Sequence, residues 1–280
     1  MRVLVTGAAG SIGSVVRSGL VDRGRDVSGL DRVPVPNAFD GDWFTADCAD
    51  PDAVEAVLEA LTRGARLDAV VHLAGLPSEA SLPEEITSHL MTTAALLDAM
   101  VRHRVPRIVY ASSIHAVGRA RRTEPLGTVS LGAETRPRPD SLYGVAKVAA
   151  EGLLSLYADR HGLDAVAMRI GNFAAQPETH QALSTWLSHG DTARLVDACL
   201  TAPDPGFAVV YGVSANTRGW WDLAPGRALG YHPEDDAEAY AGQLADPDEH
   251  DARESGHAGG SWALGTFDRP ALDLSASPGA

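Results

Sequence analysis

The sequence predicts an α/β chain built on a doubly wound parallel sheet, and three observations carry that prediction. Short apolar runs alternate with longer amphipathic stretches over most of the 280 residues. Gly, Pro or Asp bounds each apolar run, as expected of strands buried on both faces. The first run also leads directly into a glycine trio that opens a helical pattern, Gly7-Ala8-Ala9-Gly10-Ser11-Ile12-Gly13.

Taken in order, the predicted strands are Val3 to Thr6, Val27 to Leu30, Trp43 to Thr45, Ala69 to Leu73, Arg107 to Ser112, Ala165 to Arg169 and Ala208 to Val213. Between them fall helices near Ser11 to Arg23, where Val15, Val16 and Leu20 share a face, and near Pro51 to Thr62, Glu84 to His103, Tyr143 to His161 and Asp191 to Ala202. No internal repeat or interdomain linker interrupts the pattern. Residues 1–171 read as a dinucleotide-binding core that includes the helix after Tyr143, and residues 172–280 as a C-terminal substrate-binding portion that is not an independent domain. From about Leu244 the chain is rich in Asp, Glu, Gly and Ser, and disorder is expected from about residue 270.

A formal net charge of −14 argues against nucleic acid or an anionic membrane as partner, since both demand a basic surface. No apolar run is long enough to cross a bilayer and the first residues read as a strand, so a cytoplasmic enzyme is expected. Cys48 and Cys199 make neither a disulfide framework nor a metal pattern, and the ten histidines are scattered without ligand spacing.

In the glycine trio, Gly7, Gly10 and Gly13 let the backbone turn tightly and approach a pyrophosphate at a helix N-terminus, with Ser11 and Ile12 in the same turn. Asp31 ends the second strand, where a carboxylate would bond both hydroxyls of an adenosine ribose and repel a 2′-phosphate. NAD is therefore expected over NADP, although Arg32 is a residue that could hold that phosphate instead.

Lys147 is the only lysine in the chain; the other basic residues are arginine, so a bare positive charge is supplied elsewhere by a different side chain. It follows Tyr143 by four residues, which places both on one helix face. Lowering a tyrosine from ~10 towards ~7 requires about 4 kcal/mol. A unit cation at ~4 Å and an effective dielectric of ~20 supplies a term of that order. An ammonium on a flexible stem can also bridge the phenol and a ribose hydroxyl, which a planar guanidinium does poorly. The spacing thus predicts an acid/base pair in which Lys147 holds Tyr143 ionisable near neutral pH. Ligands in such sheets bind beyond the carboxyl ends of the strands. Leu73-Ala74-Gly75 follows the fourth strand, with small residues that let a nicotinamide ribose lie against the backbone, and Ser113 follows the fifth, where it can hold a substrate hydroxyl beside Tyr143.

Over nearly its whole length the chain resembles the extended short-chain dehydrogenase/reductases, a Rossmann-fold family of NAD-dependent epimerases, dehydratases and dehydrogenases. The resemblance rests on the glycine trio, Asp31, the Leu-Ala-Gly turn, Ser113, Tyr143 and Lys147. Within that family it is most similar to the uronate dehydrogenase branch, through Ala111-Ser112-Ser113 with His115, Arg169-Ile170-Gly171, Leu183-Ser184-Thr185-Trp186 with Ser188-His189, and Ser214-Ala215-Asn216 with Gly219-Trp220-Trp221-Asp222. The resemblance implies hydride transfer between a sugar-like secondary alcohol and NAD. It implies catalysis by Ser113, Tyr143 and Lys147, cofactor contacts at Asp47, Cys48 and Ile170, and substrate contacts at Ser78, Ile114, His115, Asn172, Gln181 and Phe267; homo-oligomers are common among such relatives.

Departures from the branch fall in the substrate pocket. Where its members carry a carboxylate-gripping arginine, this chain has Gln181 or, with a shift of one, His180; Ile114 and Asn172 also differ, and Arg119 is a new cation expected near the cleft. Two other activities use this residue set or part of it. A nucleotide-sugar epimerase would retain its NAD and normally needs a larger C-terminal portion, and a sensor would bind the dinucleotide without using Tyr143 and Lys147. A sugar dehydratase would need carboxylates where Ile114 and His115 stand.

Overall fold

Seven parallel strands form the central sheet, in the order β3-β2-β1-β4-β5-β6-β9. They are β1 (Arg2–Thr6), β2 (Asp26–Asp31), β3 (Trp43–Thr45), β4 (Ala69–His72), β5 (Arg107–Ser113), β6 (Asp164–Ile170) and β9 (Phe207–Gly212); β7 (Asn172–Phe173) and β8 (Trp186–Leu187) form a separate two-stranded parallel pair. The computed structural model describes residues 1–35, 39–122 and 130–264, so Phe267 and the tail from about 270 lie outside the described residues. The helices are α1 (Ser11–Asp22), α2 (Pro51–Thr62), α3 (Leu82–Glu85), α4 (Thr92–His103), α5 (Leu142–His161), α6 (Ala182–Thr185), α7 (His189–Thr201), α8 (Ala224–Ala228) and α9 (Glu249–Ser255).

Both faces of the sheet are covered, which is why its strands read as unbroken apolar runs. On one face Val3 and Val5 pack with Val16 and Leu20 of α1 and with Leu195 and Val196 of α7. On the other, Leu4 and Val70 pack with Leu58 of α2, Leu96 and Leu97 of α4 and Leu154 of α5. Full burial of each such leucine or valine stabilises the fold by about 1.5–3 kcal/mol. Strand β1 lies between β2 and β4, so the chain winds outward in both directions from it and a crevice opens at the carboxyl ends of β1 and β4. Residues after 171 supply both β9 and α7 to these layers, along with the segments over the carboxyl ends of the strands.

The most informative departure from the predicted elements is at 84–103, expected as one helix. A π-helical turn, Ile86–Met91, separates α3 from α4. The wider turn projects His89 inward, where its ring closes on Gly75 so tightly that a Cβ there would sit 2.4 Å from the imidazole. Hydrophobic periodicity does not register one extra residue in a turn. Smaller shifts occur at element ends. Leu73 falls just past β4, Ser113 closes β5, and α7 starts before Asp191 because the Ser188 side chain accepts the Asp191 N–H at 2.9 Å as its cap.

Candidate active site

The first part of the site is a cavity of about 630 Å³ lined by Gly7, Gly10, Asp31, Arg32, Asp47, Cys48 and Leu73 to Gly75, among others. Its floor requires glycine. Gly7 has φ +65°, and a Cβ on it would lie 2.7 Å from the Ala74 nitrogen, whereas a Cβ on Gly13 would lie 2.2 Å from the Gly7 carbonyl oxygen. The Asp31 carboxylate is fixed at the cavity edge by the Ala9 N–H at 2.9 Å and the Val33 N–H at 3.3 Å. Close-approach backbone, a helix N-terminus and a held carboxylate together fit a dinucleotide. Ser11 is exposed at the start of α1, and Ile12 packs against the core beneath the turn. The Cys48 thiol is buried and pushed up to about 12, so it serves as wall and not as nucleophile.

Tyr143 and Lys147, which share the first turns of α5, stand outside that lining; Tyr143 adjoins it through His89, which packs against Gly75. The Ser113 side chain lies beside the phenol and acts to hold its titration down, and the ring meets His89 edge-on at 5.2 Å. Beneath the ring, Lys147 is 5 % exposed and donates from Nζ to the Ala111 carbonyl at 2.7 Å. The expected electrostatics are not met in this site. Burial pushes the Tyr143 phenol up to about 12 and pulls the Lys147 ammonium down to about 7, although Glu85 and Glu151 act to keep the ammonium charged. Desolvation outweighs attraction because the Lys147 Nζ stands 5.2 Å from the centre of the Tyr143 ring and spends its near hydrogen bond on Ala111.

A second cavity, of about 320 Å³, is lined by Ser113, Ile114, His115, Ile170, Asn172 and Gln181 together with residues from the C-terminal segment, and His115 and Trp262 of this lining pack against Tyr143. Gln181, not His180, faces it: the His180 ring bonds the Ala245 carbonyl at 2.8 Å and stays outside the lining. Ser78 is exposed and lines neither cavity. Arg119 takes no part in the lining: its exposed side chain donates to the Ala263 carbonyl at 3.1 Å, next to the lining residue Trp262.

This arrangement, a glycine-cradled groove and a smaller polar cavity with a Ser-Tyr-Lys set beside them, has relatives. A family model described as the NAD dependent epimerase/dehydratase family matches residues 3–211. The chain belongs to that family. It is 37% identical over 256 residues to a uronate dehydrogenase of Agrobacterium fabrum, covering 90% of this chain and 92% of that one. An NAD-dependent glucose-6-phosphate dehydrogenase of Haloferax volcanii is 34% identical over 253 residues, covering 84% and 94%. Among solved structures, a mutant of the Agrobacterium tumefaciens uronate dehydrogenase complexed with NAD superposes with a TM-score of 0.84 at 34% identity, covering 94% of this chain and 96% of that chain.

Within this epimerase/dehydratase family member, several side chains around Tyr143 escaped sequence reasoning. Glu151 accepts from Ser112 at 2.6 Å and pairs bidentately with Arg169 at 3.0 and 2.8 Å, so a buried brace joins α5 to β5 and β6. Its signal was available, since 143, 147 and 151 repeat every four residues on one face. The Glu79 carboxylate accepts the N–H groups of Leu142 and Tyr143, each at 3.0 Å, and pins the start of α5. His115 donates from Nδ1 to the buried Asp140 at 2.9 Å, and Trp262 stacks on the His115 ring at 4.1 Å and meets Tyr143 edge-on at 5.9 Å. Trp262 is the described C-terminal aromatic at the site, five residues before Phe267. The tryptophan-rich blocks serve to hold the cover: Trp221 donates to the Ser184 carbonyl at 2.8 Å, and Asn216 to the Trp186 carbonyl at 2.8 Å.

Proposed function

We propose that this protein is an NAD-dependent dehydrogenase that oxidises a secondary alcohol carbon of a monosaccharide-sized, sugar-like substrate. One observation carries the reading: the Tyr143 ring meets His115 and Trp262 of the small polar cavity and also His89, which packs on Gly75 of the dinucleotide groove, with Ser113 beside the phenol and Lys147 buried next to the ring. NAD, when bound, supplies the hydride acceptor. Tyr143 takes the alcohol proton, Ser113 orients the alcohol oxygen, and Lys147 supports the phenol from below and reaches towards the ribose. Asp31 favours NAD over NADP.

The volume of the second cavity lies at the lower end of small-molecule sites, roughly 300–1,000 Å³, which suits a free sugar better than a nucleotide-linked one and so favours a dehydrogenase over an epimerase. Gln181 in this lining also supports the loss of the carboxylate-gripping arginine of the uronate dehydrogenase branch. The test is a panel of uronates, aldoses and polyols with NAD or NADP, read as absorbance of the reduced nicotinamide. Sustained reduction with NAD by one sugar class is expected; interconversion of sugar epimers without net reduction would overturn the reading.

A further inference from the structure

Granting the dehydrogenase reading above, we propose that the substrate is a neutral sugar and that Glu254 selects it by accepting hydrogen bonds from the sugar hydroxyls. Among the described residues, the lining of the second cavity contains no lysine or arginine. Its ionisable members are Glu254 and His115, and the imidazole of His115 already serves the buried Asp140 carboxylate at 2.9 Å. A sugar bearing a carboxylate or phosphate would thus enter a cavity whose described lining presents one carboxylate and no lysine or arginine.

Glu254 is one of the residues lining that cavity. It lies near the end of α9, its side chain is 15% exposed, and one oxygen, Oε1, approaches the exposed His250 ring at 3.1 Å. A carboxylate has about four acceptor positions, so most of its capacity remains for hydroxyl donors. The other walls suit the same ligand. Gln181 and Asn172 are neutral and polar, and Trp262, stacked on His115, adds an aromatic wall for the C–H face of a sugar ring. A substrate carboxylate about 6 Å from Glu254, at an effective dielectric of ~20, would be disfavoured on the order of a hundredfold.

The test uses the whole chain with NAD and matched pairs of probes, glucose with glucuronate and galactose with galacturonate. The wild-type protein should show kcat/KM at least tenfold higher for the aldose of each pair. Glu254→Gln should raise the aldose KM about tenfold with little change in kcat, and Glu254→Arg should reverse the preference towards the uronate, while NAD affinity stays constant in both. A wild-type preference for uronates, or an aldose-to-uronate ratio unchanged by both substitutions, overturns the proposal. Calorimetric binding of the same sugars to the NAD-loaded Tyr143→Phe protein separates this from the dehydrogenase reading. Tighter binding of aldoses, lost in Tyr143→Phe/Glu254→Gln, supports selection by Glu254 even if the wild type forms no reduced nicotinamide; equal or reversed affinities overturn it.

Discussion

Removing the Tyr143 hydroxyl tests the chemistry with the least disturbance to the fold. In this site the phenol is pushed up to about 12, so producing its conjugate base at pH 8 costs about 5.5 kcal/mol, four units at ~1.4 kcal/mol each. An alcohol oxidation that depends on this group should therefore accelerate with pH, by up to tenfold per unit between pH 7 and 9. Phenylalanine at 143 keeps the ring contacts with His89, His115 and Trp262 and loses the hydroxyl beside Ser113, which still accepts the His115 N–H at 3.2 Å. Losing a single polar contact of this kind costs at most about 1 kcal/mol, a few degrees of melting temperature. Turnover should instead fall by at least about a hundredfold, with NAD affinity unchanged, because no lining group of the groove is altered. The assay is steady-state formation of reduced nicotinamide across pH, with calorimetric NAD binding and thermal melting as controls. A variant that keeps half its turnover, or a wild-type profile flat from pH 7 to 9, would remove Tyr143 from proton transfer.

Three further outcomes follow from the structure. Gly13→Ala places a Cβ 2.2 Å from the Gly7 carbonyl and 2.9 Å from Ala8 backbone carbons, so the turn must shift; NAD affinity should drop at least tenfold and urea unfolding should show a loss of about 1–3 kcal/mol, whereas unchanged NAD binding would mean the turn does not cradle the dinucleotide. Arg169→Met strands the buried Glu151 carboxylate without its bidentate partner, and denaturant unfolding should report a loss of about 3–5 kcal/mol, with partial recovery when Glu151→Gln is added. Acid should weaken the fold through two buried imidazoles: burial holds His72 down to about 3 and His89 to about 2, while both return to about 6.5 on unfolding. Their contribution is complete above pH 6.5 and is lost as pH falls, because the unfolded chain takes protons the folded one refuses; at pH 5 the two together should cost about 4 kcal/mol by urea unfolding, about half of it absent in His89→Gln.

Local chemistry made much of this protein legible in its residues alone. The parallel sheet follows from apolar runs punctuated by Gly, Pro and Asp, and the dinucleotide groove follows from three glycines between a strand and a helix. The Tyr143–Lys147 pairing follows from the pitch of one helix. Each of these depends on neighbours along the chain, so spacing suffices to show it. Tertiary structure alone decided what depends on segments remote in sequence. Trp262 and Glu254 reach the pocket across roughly a hundred residues from α5, and Glu79 pins α5 from a loop more than sixty residues upstream. Whether Gln181 or His180 faces the substrate cavity depends on how the chain turns into one short helix, for which Gln181 is the N-cap. The titration of Tyr143 was decided in the same way, since a phenol's ionisation depends on the water removed from around it, and no spacing along the chain measures how dry a site becomes once the fold has closed over it.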